Sequence, residues 1–316
     1  MSNKLDLLCN KKSTDVAIIG YGTIGRVHGK ILNKFGAKIT GITCSTTQSL
    51  DIASKEIYAE YGNKPYTSLD TEDVIQRCNP NCVFICTPPE QHLEDLIKIL
   101  KYEKPIFCEK PLIWNKEFTK NDLDNHLAYI KDIQNRKLFC NFANNNLLQS
   151  LIEKTKMNKN INYFKFSFYT HGKHQGKEIA VDLLPHGIAM LFHLVGFDNK
   201  IKDYNIKSER FIFECSFKLP NIEVEFEFAQ SKIFDKKFQI QLNNRIFERK
   251  SLNEEGVYKV WFDEYKTNNS YPMENPFEIE ISKFLRFVKH GSLEDNDTFM
   301  DAYHNTKMLS DLLLLI

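Results

Sequence analysis

The sequence predicts an α/β protein of two domains: a doubly wound parallel sheet with helices on both faces, then a C-terminal α/β domain built on a large, mostly antiparallel open sheet. Three observations carry this. Through the first 143 residues, short apolar runs alternate with amphipathic helical patterns, the texture of a parallel sheet covered on both sides. From about residue 161 the period changes to two, as in RFIFECSFKL, where Phe211, Phe213, Cys215 and Phe217 fall on one face and Ile212, Glu214, Ser216 and Lys218 on the other. A chain of 316 residues, 42% of them hydrophobic, also suffices for two cores. The domains are set at 1–143 and 144–316.

In the first domain the apolar runs place strands at 16–19, 38–43, 82–87, 105–108 and 137–142, with helices at 24–35, 49–61, 71–78, 90–102 and 121–134. Gly36 closes the first helix, and Asp70 or Thr71 opens the third as an N-cap. In the second domain INYFKFSFYT, RFIFECSFKL, NIEVEFEFAQ and KKFQIQLNNRIFER read as strands with one apolar and one polar face, and helical patterns at 276–290 and 297–315 end the chain.

Bulk properties narrow the function. Lys and Arg number 42 against 41 Asp and Glu, a balance that argues against nucleic acid as partner. The polar stretch 1–14 lacks the apolar core of a signal peptide, and no apolar run approaches the ~18 residues of a membrane span, so a cytoplasmic, membrane-free protein is expected. The cysteines at 9, 44, 78, 82, 86, 108, 140 and 215 form no C-x-x-C pair and read as reduced core residues, with no metal site.

VAIIGYGTIGRVHGKIL carries the first chemical motif. A buried strand enters Gly20-Tyr21-Gly22-Thr23-Ile24-Gly25 and leaves as a helix, the setting in which G-x-G-x-x-G binds a dinucleotide in a Rossmann domain. Gly20 permits the turn, Gly22 lets backbone approach a pyrophosphate, and Gly25 lets helix pack on strand. About 20 residues on, where an acid would hold the ribose hydroxyls of NAD, the next strand ends in Cys44-Ser45-Thr46-Thr47. Hydroxyls without an acid favour NADP over NAD; the other reading is that Ser45 and Thr46 cap the following helix.

Further motifs follow in order. Thr87-Pro88-Pro89 ends one strand with His92 close behind, and Glu109-Lys110-Pro111 ends the next. Together with the glycine spacing that ends on His28, with Asp182 and His186 in AVDLLPHGIAMLFHLVG, and with NPFEIEISKFLRFVKHG near the end, the chain closely resembles the glucose-fructose oxidoreductase, inositol dehydrogenase and MocA family, from residue 16 to about 315. The resemblance implies an NAD(P)-dependent enzyme that moves a hydride to or from a carbinol carbon of a sugar, polyol or sugar derivative. It also implies a cis Lys110-Pro111 bond, a small-molecule substrate, and a homo-oligomer, dimer or tetramer, formed through the C-terminal sheet. Reduction of C=N or C=C bonds on the same scaffold, or a dinucleotide-sensing protein without turnover, are the alternatives. Cofactor contacts are assigned to Gly20, Gly22, Thr23, Ile24, Gly25, Ser45, Thr46, Thr87, Pro88, His92, Glu109 and Lys110.

The chemistry of these residues is readable without the resemblance. Lys110 ends a buried strand at the carboxyl edge of the sheet, where it either steadies a developing alkoxide or forms an edge salt bridge with Glu109 or another acid. Asp182 and His186 are four apart and share a helix face. Pro185 between them suggests that the helix starts near 182–184, which sets His186 by the positive end of the helix dipole as a neutral base oriented by Asp182. The other reading makes Asp182 a plain N-cap and His186 a core histidine. His193, farther along, is expected in the core. Asn141, Asn144 and Asn145 follow the last strand of the first domain, and Asn141 is retained as a substrate contact. The loop HGKHQGKE leads into the Asp182 helix with His171, Lys173, His174 and Lys177. It either receives an anionic sugar derivative, such as a nucleotide sugar, sugar phosphate or uronic acid, or is a solvated turn.

Overall fold

The computed structural model describes residues 13–133, 137–157, 160–197, 200–254, 257–291 and 298–315; Cys9 and the polar stretch before residue 13 lie outside them. The chain divides into two compact units, each discontinuous in sequence.

The first unit runs to Glu109 and adds Ile133–Phe139 and Ile281–Asp295. Its elements alternate: β1 (Asp15–Ile19), α1 (Thr23–Lys34), β2 (Lys38–Thr43), α2 (Thr47–Tyr61), β3 (Tyr66–Ser68), α3 (Thr71–Cys78), β4 (Cys82–Ile85), α4 (Pro89–Leu100) and β5 (Ile106–Cys108). After α5 (Lys120–Ile133), β6 (Leu138–Cys140) completes a six-stranded sheet of order β3-β2-β1-β4-β5-β6. The pairs β1–β2, β2–β3, β1–β4 and β4–β5 are parallel, and the order reverses direction beside β1, the switch point where such sheets bind ligands. Strand β4 reads Cys-Val-Phe-Ile and is buried throughout, as expected of a strand covered on both faces. The third helix starts where the sequence places it, with the Asp70 side chain accepting from the Glu72 N–H at 3.1 Å. The short, polar β3 is not announced by any apolar run. Phe284, on the C-terminal segment of this unit, stacks against Phe84, Phe107 and Phe139 with centroids 5.4, 5.4 and 5.1 Å away. That aromatic cluster is the physical reason a late segment joins an early domain.

The second unit contains α6 (Ala143–Thr155), β7 (Tyr163–Thr170), α7 (Lys177–Val195), β8 (Lys202–Ser208), β9 (Ile212–Leu219), β10 (Ile222–Gln230), β11 (Lys237–Leu242), β12 (Arg245–Glu254), β13 (Val257–Glu264) and β14 (Ser270–Met273). Then α8 (Pro276–His290), which runs on into the first unit, and α9 (Thr298–Leu313) end the chain. The eight strands lie in the order β14-β13-β12-β11-β7-β10-β9-β8. Neighbours are antiparallel except β7 and β10, which run parallel because α7, β8 and β9 intervene between them. One face of β9 is Phe213, Cys215 and Phe217, all buried, in the predicted alternation. Phe164, Phe166, Phe226, Phe228, Phe247 and Phe262 extend this face across the sheet, each burial stabilising by about 1.5–3 kcal/mol. The edge strands β8 and β14 are polar or carry proline (Pro272), as edges do, and so escape detection by an apolar pattern.

Helix α7 lies on the apolar face and differs from expectation in two ways. It starts at Lys177 after Gly176, five residues before the predicted start, so Pro185 is inside the helix. His186 is therefore mid-helix, away from the positive end of the dipole, and Asp182 is no N-cap. Pro185 is tolerated because the helix is embedded: its carbonyl accepts from Asn305 Nδ2 at 2.8 Å on α9, and every residue from Ile179 to Phe192 is buried except Asp182 and His186. The helix is also long and apolar enough, by length and composition alone, to cross a membrane, which the sequence reading missed; here it is a mostly buried core helix. His193 is exposed, because it falls on the turn where α7 leaves the core.

Gly187 marks the closest approach of α7 to the sheet: an added Cβ would lie 2.7 Å from Phe226 Cε1. Elsewhere in a helix Gly→Ala stabilises by about 1 kcal/mol. Here overpacking reverses the sign, and Gly187→Ala is expected to destabilise by about 1–3 kcal/mol, read as a lower urea midpoint at unchanged slope. A neutral or higher midpoint would show that the helix can lift without cost.

Candidate active site

Strand β1 delivers its glycine turn to a cleft of about 610 Å³ lined by Gly20, Tyr21, Gly22, Thr43, Cys44, Ser45, Thr87 and Pro88, among others. Gly20 has φ +85°, and a Cβ there would lie 2.7 Å from the Thr87 N, so this turn admits only glycine. At Gly25 a Cβ would lie 2.6 Å from the Gly20 carbonyl oxygen, which is the close helix–strand packing the motif requires. Gly22 is different in kind. A Cβ there would meet nothing within 4 Å, so no protein atom explains the missing side chain. Gly22 is also the N-cap of α1 with no side-chain cap, whereas α2 and α3 are capped by Thr46 and Asp70. The open space above Gly22 and the uncapped N–H groups at Thr23 and Ile24 fit a pyrophosphate. Ile52 and Leu69, which also line the cleft, are 48% and 57% exposed, apolar surfaces suited to a planar base.

The predicted cofactor residues separate into walls and supports. Gly20, Gly22, Ser45, Thr87 and Pro88 line the cleft, while Thr46 turns away to accept from the Ser49 N–H at 3.1 Å, the capping alternative. His92 is a correction: it is fully buried, its Nε2 donates to the Thr87 carbonyl oxygen 2.8 Å away, and its Nδ1 lies 3.7 Å from Cys108 Sγ. It braces two strand ends rather than facing a ligand. The Thr87 and Thr71 hydroxyls donate to the two oxygens of Asp95, both at 2.8 Å. Burial raises the Asp95 carboxyl, and these hydroxyls offset part of that rise. Glu109 is buried too, its Oε1 2.6 Å from His28 Nε2, so the histidine of the glycine motif holds the acid of Glu109-Lys110-Pro111. Arg26 is a cleft residue that the sequence reading passed over. Its Nε donates to Glu56 at 2.8 Å and its NH1 to the Tyr21 carbonyl at 3.1 Å. The signal was available, one position past Gly25.

The second unit holds the other constellation. The Lys110-Pro111 bond is cis. Lys110 Nζ donates to Asp182 Oδ1 at 2.7 Å and to the Asp182 carbonyl oxygen at 2.6 Å. Of the two sequence readings, the salt bridge therefore forms, with Asp182 and not with Glu109. Gln230, at the end of β10, donates to Asp182 Oδ2 at 2.5 Å. Burial would raise the Asp182 carboxyl, but the Lys110 charge and hydrogen bond, the charge of His186 and the Gln230 amide outweigh it and hold the group at about 2. His186 shares the exposed window of α7 with Asp182, and its ring meets Phe168 edge-on at 5.9 Å. A fixed ammonium, an ionised carboxylate and an imidazole thus occupy one opening in an otherwise apolar surface.

The loop before α7 is tied to the same group: the His174 N–H donates to Gln230 Oε1 at 3.0 Å, and a Cβ on Gly172 would collide with the Gln230 amide. Lys173, His174 and Lys177 are exposed, and His171 Nε2 lies 3.3 Å from the Phe234 carbonyl oxygen. Asn141 is a second correction: it is buried, and its Oδ1 accepts from the Ala143 N–H at 3.2 Å, so it shapes the start of α6.

Gly22→Ala separates the ligand role from the fold. The melting temperature without dinucleotide is expected to stay within experimental error, while dinucleotide affinity, measured calorimetrically, falls tenfold or more, since a methyl group occupies the phosphate path. Equal affinity would mean that the cleft is used differently.

Comparison with known proteins agrees with the geometry. Residues 14–142 match the family model GFO_IDH_MocA, described as an oxidoreductase family with an NAD-binding Rossmann fold. Inositol 2-dehydrogenase 1 of Paenarthrobacter aurescens is 30% identical over 101 residues, which are 32% of this chain and 29% of that protein. The chain thus matches less than a third of this relative's length. Among solved structures, a dehydrogenase (MviM) from Clostridium difficile superposes with a TM-score of 0.73 at 14% identity, covering 96% of this chain and 100% of that one. UDP-N-acetylglucosamine 3-dehydrogenase GnnA from Acidithiobacillus ferrooxidans gives 0.71 at 11%, covering 96% and 97%. A 3-ketoreductase from Actinomadura kijaniata, in complex with TDP-benzene and NADP, gives 0.71 at 14%, covering 96% and 97%. These structures share the fold across both units, and the sequence match identifies the first as an NAD(P)-binding Rossmann domain. Residues 14–142 are thus similar to the glucose-fructose oxidoreductase, inositol dehydrogenase and MocA family in sequence, and the whole chain resembles dehydrogenases in fold.

Proposed function

We propose that this protein is an NAD(P)-dependent oxidoreductase acting on a carbinol or carbonyl carbon of a sugar or sugar derivative. The observation that carries the reading is the window in α7: a helix buried on all sides exposes only Asp182 and His186 between Ile179 and Phe192, and Lys110 is bonded into that window. A bound dinucleotide supplies the hydride acceptor or donor; Gly20, Gly22, Ser45, Thr87 and Pro88 would hold it. The chain's own groups handle the hydroxyl. Lys110, positioned by Asp182, polarises the substrate oxygen, and His186 takes or gives its proton. Asp182 stays ionised and so favours the cationic form of its neighbours when the proton arrives. Lys173 and Lys177, on the loop fastened through His174 and Gln230, support an anionic substrate. Association of copies through the eight-stranded sheet remains part of this reading. Its outward face carries Lys165 with Glu225 and Glu227, charges already paired within the chain, which can be covered without leaving one alone.

NADP(H) is the favoured cofactor. Ser45 and Arg26 both line the cleft, and no carboxylate stands between Cys44 and Thr47 to repel a 2′-phosphate. Calorimetric titration is expected to give a lower Kd for NADP(H) than for NAD(H); the reverse order would mean that Glu56 neutralises Arg26 for this purpose.

His186→Ala and Lys110→Ala are each expected to lower turnover by roughly 10²–10⁴-fold with dinucleotide affinity nearly unchanged. The measurement is steady-state kinetics on the best substrate from a screen of polyols, sugars, sugar phosphates, uronic acids and nucleotide sugars. Turnover near wild type in both variants would overturn the assignment. Tight dinucleotide binding with no turnover on any compound would favour a sensor.

A further inference from the structure

Arg249 lies on the helix-facing side of β12, opposite the fully buried Phe262 of β13. Its guanidinium carbon sits 3.9 Å from the ring centroid of Phe238 and 5.7 Å from that of Phe168. Phe168 is the ring that His186 touches on its other contact, at 5.9 Å. Arg249 and the imidazole of the proposed site therefore both contact the ring of Phe168. Among the described residues no hydrogen bond or ion pair engages Arg249. The contrast with Arg245 is informative, since both lie on the same face of the same strand. Arg245 donates to the two oxygens of Glu264 at 2.6 and 3.0 Å, the two-pronged pairing that a desolvated guanidinium ordinarily finds. Arg249 has aromatic faces and no acid, and burial pulls its pKa below the ordinary guanidinium value.

We propose that Arg249 is a specificity residue that receives an anionic group, a carboxylate or phosphate, carried on the same sugar ring whose carbinol meets Lys110 and His186. This rests on the reading of Asp182, His186 and Lys110 as the reacting site. Stacking on Phe238 and Phe168 fixes the plane of the guanidinium, which leaves its N–H edge to grip an oxyanion with two parallel hydrogen bonds. The shared contact with Phe168 puts the guanidinium and the imidazole in one neighbourhood. Arg249 is therefore assigned to a group attached directly to the reacting sugar ring, and the more distant diphosphate of a nucleotide sugar to the exposed lysines of the loop. The anion would supply the counter-charge that the chain omits, which is why a cation is tolerated among phenylalanines.

The test uses paired ligands: glucose with glucuronate and glucose 6-phosphate, and galactose with galacturonate. Each is titrated calorimetrically into the NADP-loaded protein, wild type and the variants Arg249→Met and Arg249→Lys. At least one anionic member is expected to bind tenfold or more tightly than its neutral partner, with the carboxylate and phosphate arms showing which oxyanion is read. Arg249→Met should abolish that preference, and Arg249→Lys should restore only part of it, because an ammonium lacks the two-pronged edge. Melting temperatures are recorded alongside. Equal binding of neutral and anionic members by wild type, or a preference that survives Arg249→Met, overturns the proposal, as does a lower melting temperature with the preference intact, which assigns Arg249 to structure alone. If no sugar of either kind binds while the dinucleotide does, the reading of the site itself fails, and this outcome is distinct from turnover on neutral polyols without an anion preference, which removes only Arg249.

Discussion

The second unit is organised around keeping Asp182 ionised at a half-buried position on an apolar helix. An isolated carboxylate in that position would be protonated or would unfold its surroundings. Three neighbours prevent this: Lys110 from the end of the strand β5 segment, Gln230 from the end of β10, and the charge of His186 one turn along. Each demand generates another. Lys110 must arrive with its ammonium aimed at α7. Gln230 must turn its amide toward Asp182, and its other end then presses so closely on residue 172 that only glycine fits. The carboxamide oxygen left over takes the His174 N–H, which fastens the loop. A single half-buried charge thus dictates residues on a helix, two strand ends and a loop.

The first unit follows another rule: small residues and hydroxyls where backbone must come close, large ones behind. Gly20 and Gly25 are glycines because protein atoms press on them, whereas Gly22 is glycine with no protein atom near. Behind the turn, His92 and Asp95 hold the Thr87 segment through its carbonyl and its hydroxyl, and His28 holds Glu109. Consecutive residues of one motif serve different masters: Glu109 is bound to the histidine of the glycine motif, and Lys110 to Asp182. Motif residues that look like a ligand-contact list in sequence are, to a considerable extent, each other's contacts.

Much of the architecture was legible because burial leaves a period. The parallel sheet shows in the alternation of apolar strands and amphipathic helices, and the β9 face shows in Phe213, Cys215 and Phe217. Asp182 and His186 were legible as a pair because four residues make a helical turn. The start of α7 was not, because Pro185 imitates a helix-start signal and only tertiary burial explains its place inside. Strands β3, β8 and β14 are short, polar or proline-bearing edges that no apolar pattern marks. Gln230 and Arg249 were invisible for a simpler reason: each is a polar residue in an alternating strand, and only the partner across space, Asp182 for one and the rings of Phe238 and Phe168 for the other, gives it meaning. Asn141 and His92 erred in the opposite direction, since a polar residue beside a motif can be part of its scaffolding.

The exposed Ile52 and Leu69 have a thermodynamic consequence. Water lying against these two side chains in the cleft is displaced when a planar base covers them, and removing apolar surface from water lowers the heat capacity of the system. The enthalpy of dinucleotide binding therefore grows more favourable as temperature rises, while the entropic gain shrinks. On the proposed reading, the backbone around Gly22 contributes hydrogen bonds to phosphate that respond to salt, and Ile52 and Leu69 contribute a solvent release that responds to heat.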